Sequence, residues 1–330
     1  MRKAIFALDP AKFSLIYGEE ERADIARLVS VDPHPYRKEE LRADPRPLEG
    51  VEIVFSGWDA PCFDAELLSH APALKIVLYG AGSVRRVVTP AFWDRGLRIS
   101  SAYAANAVPV AEYVLSQILF CLKQGYRLSR EVREARRFVA KENLAGAYRS
   151  TVGLVSLGMI GRKVAALLRH FDVKTIAYAR HTTPADAEAL GVELCPLDDV
   201  FRRSDVVSLH TPWLPETEGM VLGRHFRSMK PYAAFINSAR GAVVREEEMV
   251  AVLRERPDIQ AVLDVTYPEP PVPDSPLYTL PNVVLTPHLA GSVGPECRRM
   301  GRCMVEELER YLAGEPLRCE LSREKAELLA

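Results

Sequence analysis

The second half of the chain alternates short apolar runs with helical patterns, and this alternation limits the fold more than any other feature. Segments such as Met159–Arg169 and Glu246–Arg254 carry apolar residues at helical spacing. The strand-like runs around them number six: Thr151–Ser156, Val173–Ala177, Val206–His210, Ala233–Asn237, Ile259–Asp264 and Val283–Thr286. Strands that alternate with helices in this way predict a doubly wound parallel sheet covered by helices.

The first hundred residues show the same alternation. A helical pattern over Glu20–Val29 lies among four further strand-like runs: Ala4–Leu8, Val51–Phe55, Leu74–Tyr79 and Leu97–Ser100. Together with a length of 330 residues, this predicts two α/β domains. Between the two series, Val110–Phe138 predicts one long helix that either crosses between domains or docks on a second subunit.

Composition excludes several classes of function. The chain is 48% hydrophobic and 26% charged, as soluble globular proteins are, and its net charge of −1 provides no basic field for nucleic acid or a membrane surface. Its six cysteines form no Cys-x-x-Cys pair, which indicates free thiols, a reducing compartment and no metal site. The first apolar run ends at Asp9-Pro10, too early for a signal peptide, and no membrane span is expected. We therefore predict a cytoplasmic protein.

A glycine-containing turn lies between the first strand and first helix of the second series. It reads Ser156-Leu157-Gly158-Met159-Ile160-Gly161 and resembles the G-x-G-x-x-G turn of dinucleotide-binding sheets, with serine at the first glycine. Gly158 would let the backbone approach a pyrophosphate, and Gly161 would let the helix pack on the strand. Backbone N–H groups at the helix start, at Met159 and Ile160, would hold the phosphates. The alternative is a tight packing turn without a ligand.

The end of the next predicted strand bears on the choice of dinucleotide. Enzymes that use NAD place an acidic residue about 20 residues after the glycine turn, where it binds the ribose hydroxyls. Ala179 stands at that place and Arg180 follows it. An arginine there can bind a 2′-phosphate, so the sequence favours NADP(H), with NAD(H) possible. Alternatively, Arg180 is an exposed cation at a strand end.

Arg240, Glu269 and His288 each follow a strand-like run. In an open α/β sheet, ligands bind at the carboxyl ends of the strands. A guanidinium can bind a carboxylate, a histidine can transfer a proton, and a carboxylate can orient that histidine. The three residues predict an acid/base site for an oxo or hydroxy acid, although each alone also has an ordinary structural explanation.

Five sequence blocks between about residues 102 and 314 resemble the D-isomer-specific 2-hydroxyacid dehydrogenase family. The blocks are Asn106–Glu112, Thr151–Gly161, Asp205–His210, Met229–Gly241 and Thr286–His288. The resemblance implies two doubly wound domains: a Rossmann-type dinucleotide-binding domain, residues 104–292, inserted into a flavodoxin-like substrate (catalytic) domain, residues 1–103 and 293–330. It also implies a cleft for nicotinamide and substrate and a homodimer formed through the dinucleotide-binding domain.

The resemblance also assigns roles to residues. His288 would be the acid/base, Glu269 its partner and Arg240 the substrate anchor, while Asp264 would bind the nicotinamide carboxamide and His210 would line the nicotinamide ribose. The implied substrate-binding residues are Gly80, Ala81 and Gly82 of a glycine loop, together with Asn106. Trp58, which follows a strand, is a further candidate for the substrate wall, although packing at the domain edge explains it equally well.

These features predict an oxidoreductase that transfers a hydride between NAD(P)H and a small 2-oxo acid or D-2-hydroxy acid. Two alternatives remain. One is an NAD-dependent dehydrogenase of a phosphorylated 2-hydroxy acid. Arg85-Arg86 stands where the family usually has Asp-Asn, which leaves the identity of the substrate open. The other is a non-catalytic, dinucleotide-sensing binding protein of the same fold.

Overall fold

The computed structural model describes residues 1–328. Its β-strands, numbered in chain order, are β1 Lys3–Ala7, β2 Ser30–Tyr36, β3 Ile53–Ser56, β4 Ile76–Tyr79, β5 Arg98–Ser101, β6 Thr151–Val155, β7 Lys174–Tyr178, β8 Val192–Leu194, β9 Val206–Leu209, β10 Ala234–Asn237, β11 Gln260–Leu263 and β12 Val283–Leu285. The last two residues of the predicted segment 293–330, Leu329 and Ala330, lie outside the described residues.

The α-helices, also in chain order, are α1 Pro10–Ile16, α2 Glu19–Leu28, α3 Lys38–Ala43, α4 Ala65–Ser69, α5 Pro90–Asp94, α6 Tyr103–Leu122, α7 Gly125–Ala135, α8 Met159–Leu168, α9 Pro184–Ala189, α10 Leu197–Arg203, α11 Gly223–Ser228, α12 Glu246–Glu255, α13 Cys297–Ala313 and α14 Arg323–Leu328. Short 3₁₀ helices cover Arg46–Leu48, Gly241–Val243, Pro276–Tyr278 and Gly294–Glu296.

The chain forms two compact units. The first unit contains Met1–Asn106 and the segment that begins at Ser292, and the second unit contains Ala107–Gly291. In the first unit, parallel strands form one sheet in the order β2-β1-β3-β4-β5. In the second unit, parallel strands form one sheet in the order β12-β11-β10-β9-β6-β7-β8. These are the flavodoxin-like and Rossmann-type strand orders, so the predicted fold class is confirmed.

The main errors of the sequence prediction lie at the sheet edges and in one helix. Strands β2 and β8 were not predicted, and both occupy the edge of their sheet. The single helix predicted over Val110–Phe138 is two helices, α6 and α7. They are separated because Gln124 adopts a left-handed conformation with φ of 50°, which interrupts the helical path.

Each unit has its own apolar cores. In the first unit, one core lies beneath α13, where Met300, Met304 and Leu308 pack with Phe6 and Phe55 of the sheet. In the second unit, apolar side chains of α6 and α8 cover one face of the sheet and those of α10, α11 and α12 cover the other. Because helices cover both faces of the sheet, the side chains of its strands are buried on both sides. Such strands appear in the sequence as continuous apolar runs.

Within the described residues, one helix has the length and hydropathy of a membrane span. This is α6, in a chain for which the sequence predicts no membrane span. Val114, Ile118 and Leu122 of α6 are buried in a core of the second unit with strand residues such as Val152. A core helix of a globular domain passes the same test, because burial requires the same apolar side chains.

Candidate active site

The glycine turn connects β6 to α8 in the second unit, at the carboxyl edge of the sheet. Ser156 occupies the position of the missing glycine and adopts φ of 83°, the left-handed region that favours glycine. Its N–H donates to the Tyr178 carbonyl at 2.7 Å. The serine therefore keeps the turn of a glycine, at a conformational cost of roughly 1–2 kcal/mol.

The two glycines of this turn have different surroundings. A Cβ atom on Gly161 would lie 2.3 Å from the Ser156 carbonyl oxygen, so this glycine permits the close approach of helix and turn. A Cβ atom on Gly158 would meet nothing within 4 Å. The space beside Gly158 is open at the N-terminus of α8, where backbone N–H groups and the helix dipole favour a phosphate. The turn therefore fits a dinucleotide pyrophosphate.

His210 follows β9, which lies next to β6 where the strand order reverses. The side chain is buried, and its Nε2 atom has no hydrogen-bond partner among the described residues. Burial lowers the pKa of His210 to about 4, so the imidazole is neutral at physiological pH. A buried nitrogen without a partner beside the glycine turn fits a bound group that supplies one.

Arg180 lies just beyond β7 with Ala179 before it. The Arg180 side chain is exposed, and its Nε donates to the Tyr178 hydroxyl at 2.9 Å. Ala179 offers no carboxylate at the position where enzymes that use NAD have one. The strand end therefore presents a guanidinium that the neighbouring tyrosine helps to orient.

Arg240 is carried by a turn that Asn237 organises. The buried Asn237 side chain donates to the Arg240 carbonyl at 3.1 Å and accepts from the Ala239 N–H at 3.0 Å. Gly241 then lets the chain pass the next loop, because a Cβ atom there would lie 2.0 Å from the carbonyl carbon of Thr266. Burial lowers the pKa of Arg240 and the nearby carboxylate of Glu269 opposes that shift, so the guanidinium remains charged.

Glu269 and His288 come together at the carboxyl ends of β11 and β12. Oε1 of Glu269 lies 2.5 Å from Nδ1 of His288, and both side chains are exposed. His288 has φ of 52°, a left-handed conformation that costs a non-glycine residue roughly 1–2 kcal/mol. The structure thus pairs the two residues that the sequence predicts as acid/base and partner.

Asp264 lies at the end of β11 and is almost fully buried. Its carboxylate accepts hydrogen bonds from the Leu289 and Ala290 N–H groups and from the Thr286 hydroxyl. These contacts tie Asp264 to the turn that carries His288. The binding of a nicotinamide carboxamide by Asp264 stays a prediction.

The predicted substrate loop lies in the first unit, after β4. The N–H of Gly80 donates to the Ser56 carbonyl at 2.8 Å, and the Ser101 hydroxyl donates to the carbonyls of Ala81 and Gly82. Among the described residues, the backbone N–H groups of Ala81 and Gly82 donate to no protein acceptor. The Gly80 N–H and the carbonyls of Ala81 and Gly82 thus hold the loop, and the N–H groups of Ala81 and Gly82 are available to donate to an anion.

Asn106 and Trp58 also belong to the first unit. Asn106 Nδ2 lies 3.9 Å from the position of a Cβ atom on Gly82, and Asn106 Oδ1 accepts from the Ser292 N–H at 2.9 Å. Asn106 therefore lies beside the predicted loop. Trp58 is half-buried against the apolar cores of this unit, which agrees with packing as well as with a wall position.

Three residues around the second unit's site were missed by the sequence reasoning. Asn237 organises the Arg240 turn, Thr286 contacts Asp264, and Glu246 accepts the Tyr267 N–H at 3.2 Å beside the segment that carries Glu269. A polar residue at the end of an apolar strand is a signal that could have indicated Asn237. Within the described residues, no group of three His, Cys, Asp or Glu side chains could hold a metal ion.

Residues 115–290 match the family model described as D-isomer specific 2-hydroxyacid dehydrogenase, NAD binding domain. The chain belongs to the D-isomer-specific 2-hydroxyacid dehydrogenase family. The match spans the glycine turn, Arg240, Glu269 and His288, so the predicted family is confirmed from the half of the chain that carries them.

Relatives within the family carry different names. D-3-phosphoglycerate dehydrogenase of Mycobacterium leprae is 35% identical over 258 residues, which cover 78% of this chain and 48% of the relative. The chain thus spans about half the length of the phosphoglycerate dehydrogenases that it matches. Glyoxylate reductase of Korarchaeum cryptofilum is 31% identical over 256 residues, covering 76% of this chain and 77% of the relative.

A solved structure shares the fold. The D-isomer specific 2-hydroxyacid dehydrogenase of Lactobacillus delbrueckii ssp. bulgaricus, in its NAD complexed form, has a TM-score of 0.80 and 22% sequence identity, and the match covers 98% of this chain and 100% of that chain. At this identity the likeness concerns the fold alone. The two-sheet architecture is therefore that of the family.

Proposed function

We propose that this chain is an oxidoreductase that transfers a hydride between a nicotinamide dinucleotide and a small 2-oxo acid or D-2-hydroxy acid. The observation that carries the proposal is the 2.5 Å contact between Nδ1 of His288 and Oε1 of Glu269, at the carboxyl edge of a Rossmann-type sheet. The same edge carries a glycine turn that fits a pyrophosphate. When bound, the dinucleotide supplies or accepts the hydride.

His288 acts as the acid and base in this proposal. In the reductive direction, negative charge develops on the keto oxygen of the substrate, and protonated His288 donates a proton to it. Glu269 accepts a hydrogen bond from the Nδ1–H group of His288 and fixes the tautomer and orientation of the ring. In the oxidative direction, neutral His288 takes the proton of the hydroxyl group.

Arg240 binds the substrate carboxylate. Its planar guanidinium can donate two parallel hydrogen bonds to a carboxylate, which lysine cannot do. The partly buried position strengthens this pairing because less water competes for the charge. In the first unit, we propose that the N–H groups of Ala81 and Gly82 are donors to an anionic substrate group, with Asn106 and Trp58 as neighbouring substrate contacts.

Arg180 supports a preference for NADP(H). A 2′-phosphate would meet an exposed guanidinium oriented by Tyr178, and Ala179 provides no carboxylate to repel it. A charge-assisted hydrogen bond contributes roughly 1.5–3 kcal/mol, or about 10- to 150-fold in affinity. NAD(H) lacks this phosphate and gains nothing from Arg180.

Steady-state kinetics with a small panel test the activity and the cofactor preference together. We expect reduction of glyoxylate or hydroxypyruvate, with a higher kcat/KM for NADPH than for NADH. Arg180→Gln should remove most of that difference. The matched control is Arg202→Gln, which alters another exposed arginine of the same unit. A clear preference of the unaltered protein for NADH contradicts the assignment of Arg180.

The panel also separates the substrate classes. Phosphohydroxypyruvate belongs in it because relatives at 35% identity are named D-3-phosphoglycerate dehydrogenase. Faster turnover of the phosphorylated acid than of glyoxylate would favour the dehydrogenase of a phosphorylated substrate. Absence of turnover with every acid, together with tight dinucleotide binding, would replace the proposal with a dinucleotide-sensing protein.

We also propose that the protein is a homodimer through the second unit. Helix α7 buries none of its residues, and Phe120 of α6 and Phe138 beyond α7 are exposed. A second copy of this chain that covered these apolar side chains would remove them from water. Sedimentation velocity tests this: Phe138→Ser should weaken the dimer, whereas Tyr278→Ser, at another exposed aromatic, should not. A monomer in the unaltered protein contradicts the proposal.

A further inference from the structure

The turn that carries His288 is held by a buried carboxylate. The His288 N–H donates to the backbone carbonyl of Asp264 at 3.0 Å, and the Leu289 and Ala290 N–H groups each donate to the Asp264 carboxylate at 2.9 Å. Three successive N–H groups therefore end on one residue. His288, the first of these donors, is in the left-handed conformation. A non-glycine residue keeps this conformation only where the neighbouring structure determines it.

A hydroxyl group completes the environment of this carboxylate. The Thr286 hydroxyl donates to Oδ1 of Asp264 at 2.5 Å, and the same Oδ1 accepts the Leu289 N–H. Thr286 itself follows β12, and its N–H donates to the Leu263 carbonyl at 3.0 Å. Thr286 thus connects the end of β12 to the end of β11, next to the turn that carries His288.

The hydroxyl of Tyr113, on α6, reaches this group from another part of the second unit. It lies 3.1 Å from the Thr286 hydroxyl oxygen. Because Thr286 gives its single hydroxyl proton to Asp264, Tyr113 must donate to Thr286. Burial raises the pKa of Tyr113, which keeps the hydroxyl protonated for this role. A chain of donors therefore runs from Tyr113 through Thr286 to Asp264.

We propose that Tyr113 and Thr286, acting through Asp264, are positioning residues that orient His288. Tyr113 fixes the Thr286 hydroxyl, Thr286 fixes the Asp264 carboxylate, and that carboxylate fixes the backbone on the carboxyl side of His288. The inference rests on the proposed role of His288 as acid and base. The geometry of a proton donor matters because small displacements of a catalytic group cost large factors in rate.

Hydrogen exchange tests the structural part without reference to activity. Thr286→Val removes the hydroxyl while keeping the shape of the side chain, and Thr286→Ser keeps the hydroxyl. We expect the amides of Leu289 and Ala290 to exchange about 2- to 10-fold faster in Thr286→Val and to return toward the original rate in Thr286→Ser. Tyr113→Phe should give a smaller acceleration. Unchanged exchange in both Thr286→Val and Tyr113→Phe overturns the proposal.

Kinetics with glyoxylate and NADPH test the effect on His288. In Thr286→Val we expect kcat with saturating glyoxylate and NADPH to fall roughly 10-fold, as for a group that acts in the chemical step. Thr286→Ser should restore kcat. Thr279→Val is the matched control, because its hydroxyl donates to the Pro276 carbonyl at an exposed turn of the same unit. Circular dichroism of each variant checks the fold.

His288→Gln distinguishes this inference from the proposed function. If His288→Gln retains turnover, the acid/base assignment fails, while the exchange rates of Leu289 and Ala290 still decide whether the hydrogen-bonded chain holds the turn. If His288→Gln is inactive and Thr286→Val accelerates exchange without lowering kcat, the turn is held but its orientation is irrelevant to turnover. That second result overturns the positioning role.

Discussion

Glu269 contacts His288 through Nδ1, which leaves Nε2 as the imidazole nitrogen that is able to face a substrate. A carboxylate accepts hydrogen bonds, so the Nδ1 atom carries a proton in this arrangement. The ring nitrogen that exchanges a proton with a reacting oxygen is then Nε2. The contact between Glu269 Oε1 and His288 Nδ1 therefore assigns Nδ1 to the carboxylate and Nε2 to the substrate.

The first prediction concerns the acid/base residue. His288→Gln should lower kcat by about 10² to 10⁴-fold, the usual contribution of a positioned acid, because glutamine cannot supply the proton. Dinucleotide affinity, measured by fluorescence titration, should change little. Exposed His170 of the same unit offers a control, and His170→Gln should retain full turnover. Near-normal turnover in His288→Gln would remove this residue from the proposed role.

The second prediction compares the two glycines of the dinucleotide turn. Gly158→Ala adds a methyl group to open space, so the protein should unfold at an unchanged temperature but bind NADPH at least about 10-fold more weakly, because the methyl group blocks the approach of the pyrophosphate. Gly161→Ala forces a Cβ atom toward the Ser156 carbonyl and should lower the stability by roughly 1–3 kcal/mol. Calorimetry and binding titrations measure both. Unchanged NADPH affinity in Gly158→Ala argues against a pyrophosphate at this turn.

The third prediction concerns the serine that stands in place of a glycine. Ser156→Gly should raise the free energy of unfolding of the second unit by about 1 kcal/mol, because glycine adopts φ of 83° without the strain that a Cβ atom causes. Ser228→Gly, near the end of α11, should lower it, since the backbone there is helical. Urea unfolding of the two variants measures these changes. A loss of stability in Ser156→Gly would show that the side chain contributes more than its backbone strain costs.

The fourth prediction concerns the dependence of stability on pH. His210 has a folded-state pKa of about 4, below the ordinary value of 6.5, so the unfolded state binds its proton first as the pH falls. Above pH 6.5 the His210 ring is neutral in both the folded and the unfolded protein. As the pH falls from 6.5 to about 4, the unfolded protein takes up the proton and the free energy of unfolding decreases. At pH 5 the loss from this residue is about 2 kcal/mol. Below about pH 4, His210 is protonated in the folded protein as well, so this residue causes no further loss of stability.

Urea unfolding of the cofactor-free protein at pH 7 and pH 5 checks this prediction. The free energy of unfolding is expected to differ between pH 7 and pH 5. This difference should be about 2 kcal/mol smaller in His210→Gln, because glutamine has no titrating ring. His170→Gln, at an exposed position, serves as the reference and should leave the difference unaltered. An identical pH dependence in His210→Gln and the unaltered protein would contradict the assignment of a low pKa to His210.

The interior strands of both sheets were predictable because they are buried on both faces. Burial requires continuous apolar runs, and such runs are visible in the sequence. Strands β2 and β8 are edge strands, and they lack this signal. β2 reads SVDPHPY with two prolines, which an edge tolerates because one side of the strand makes no ladder hydrogen bonds. β8 has only three residues, too few for a periodic pattern.

The candidate site residues could be proposed from the sequence because polar residues follow the ends of apolar runs. Arg240, Glu269 and His288 each follow such a run, and this position is visible in the sequence. The support of His288 could not be read in this way, because Tyr113 and Thr286 are separated by 173 residues in sequence and meet only in the folded unit. The break at Gln124 was also hidden, since glutamine is an ordinary helix former and the left-handed conformation is imposed by its surroundings.

The first unit is assembled from two separated stretches of the chain, whereas the second is continuous. Helix α13 supplies Met300, Met304 and Leu308 to a core that also contains Phe6 and Phe55. During synthesis the strands of the first unit therefore leave the ribosome early and wait for a helix that is made almost two hundred residues later. The second unit is complete once Gly291 has been made, so it can close its sheet and cores before the first unit has received α13.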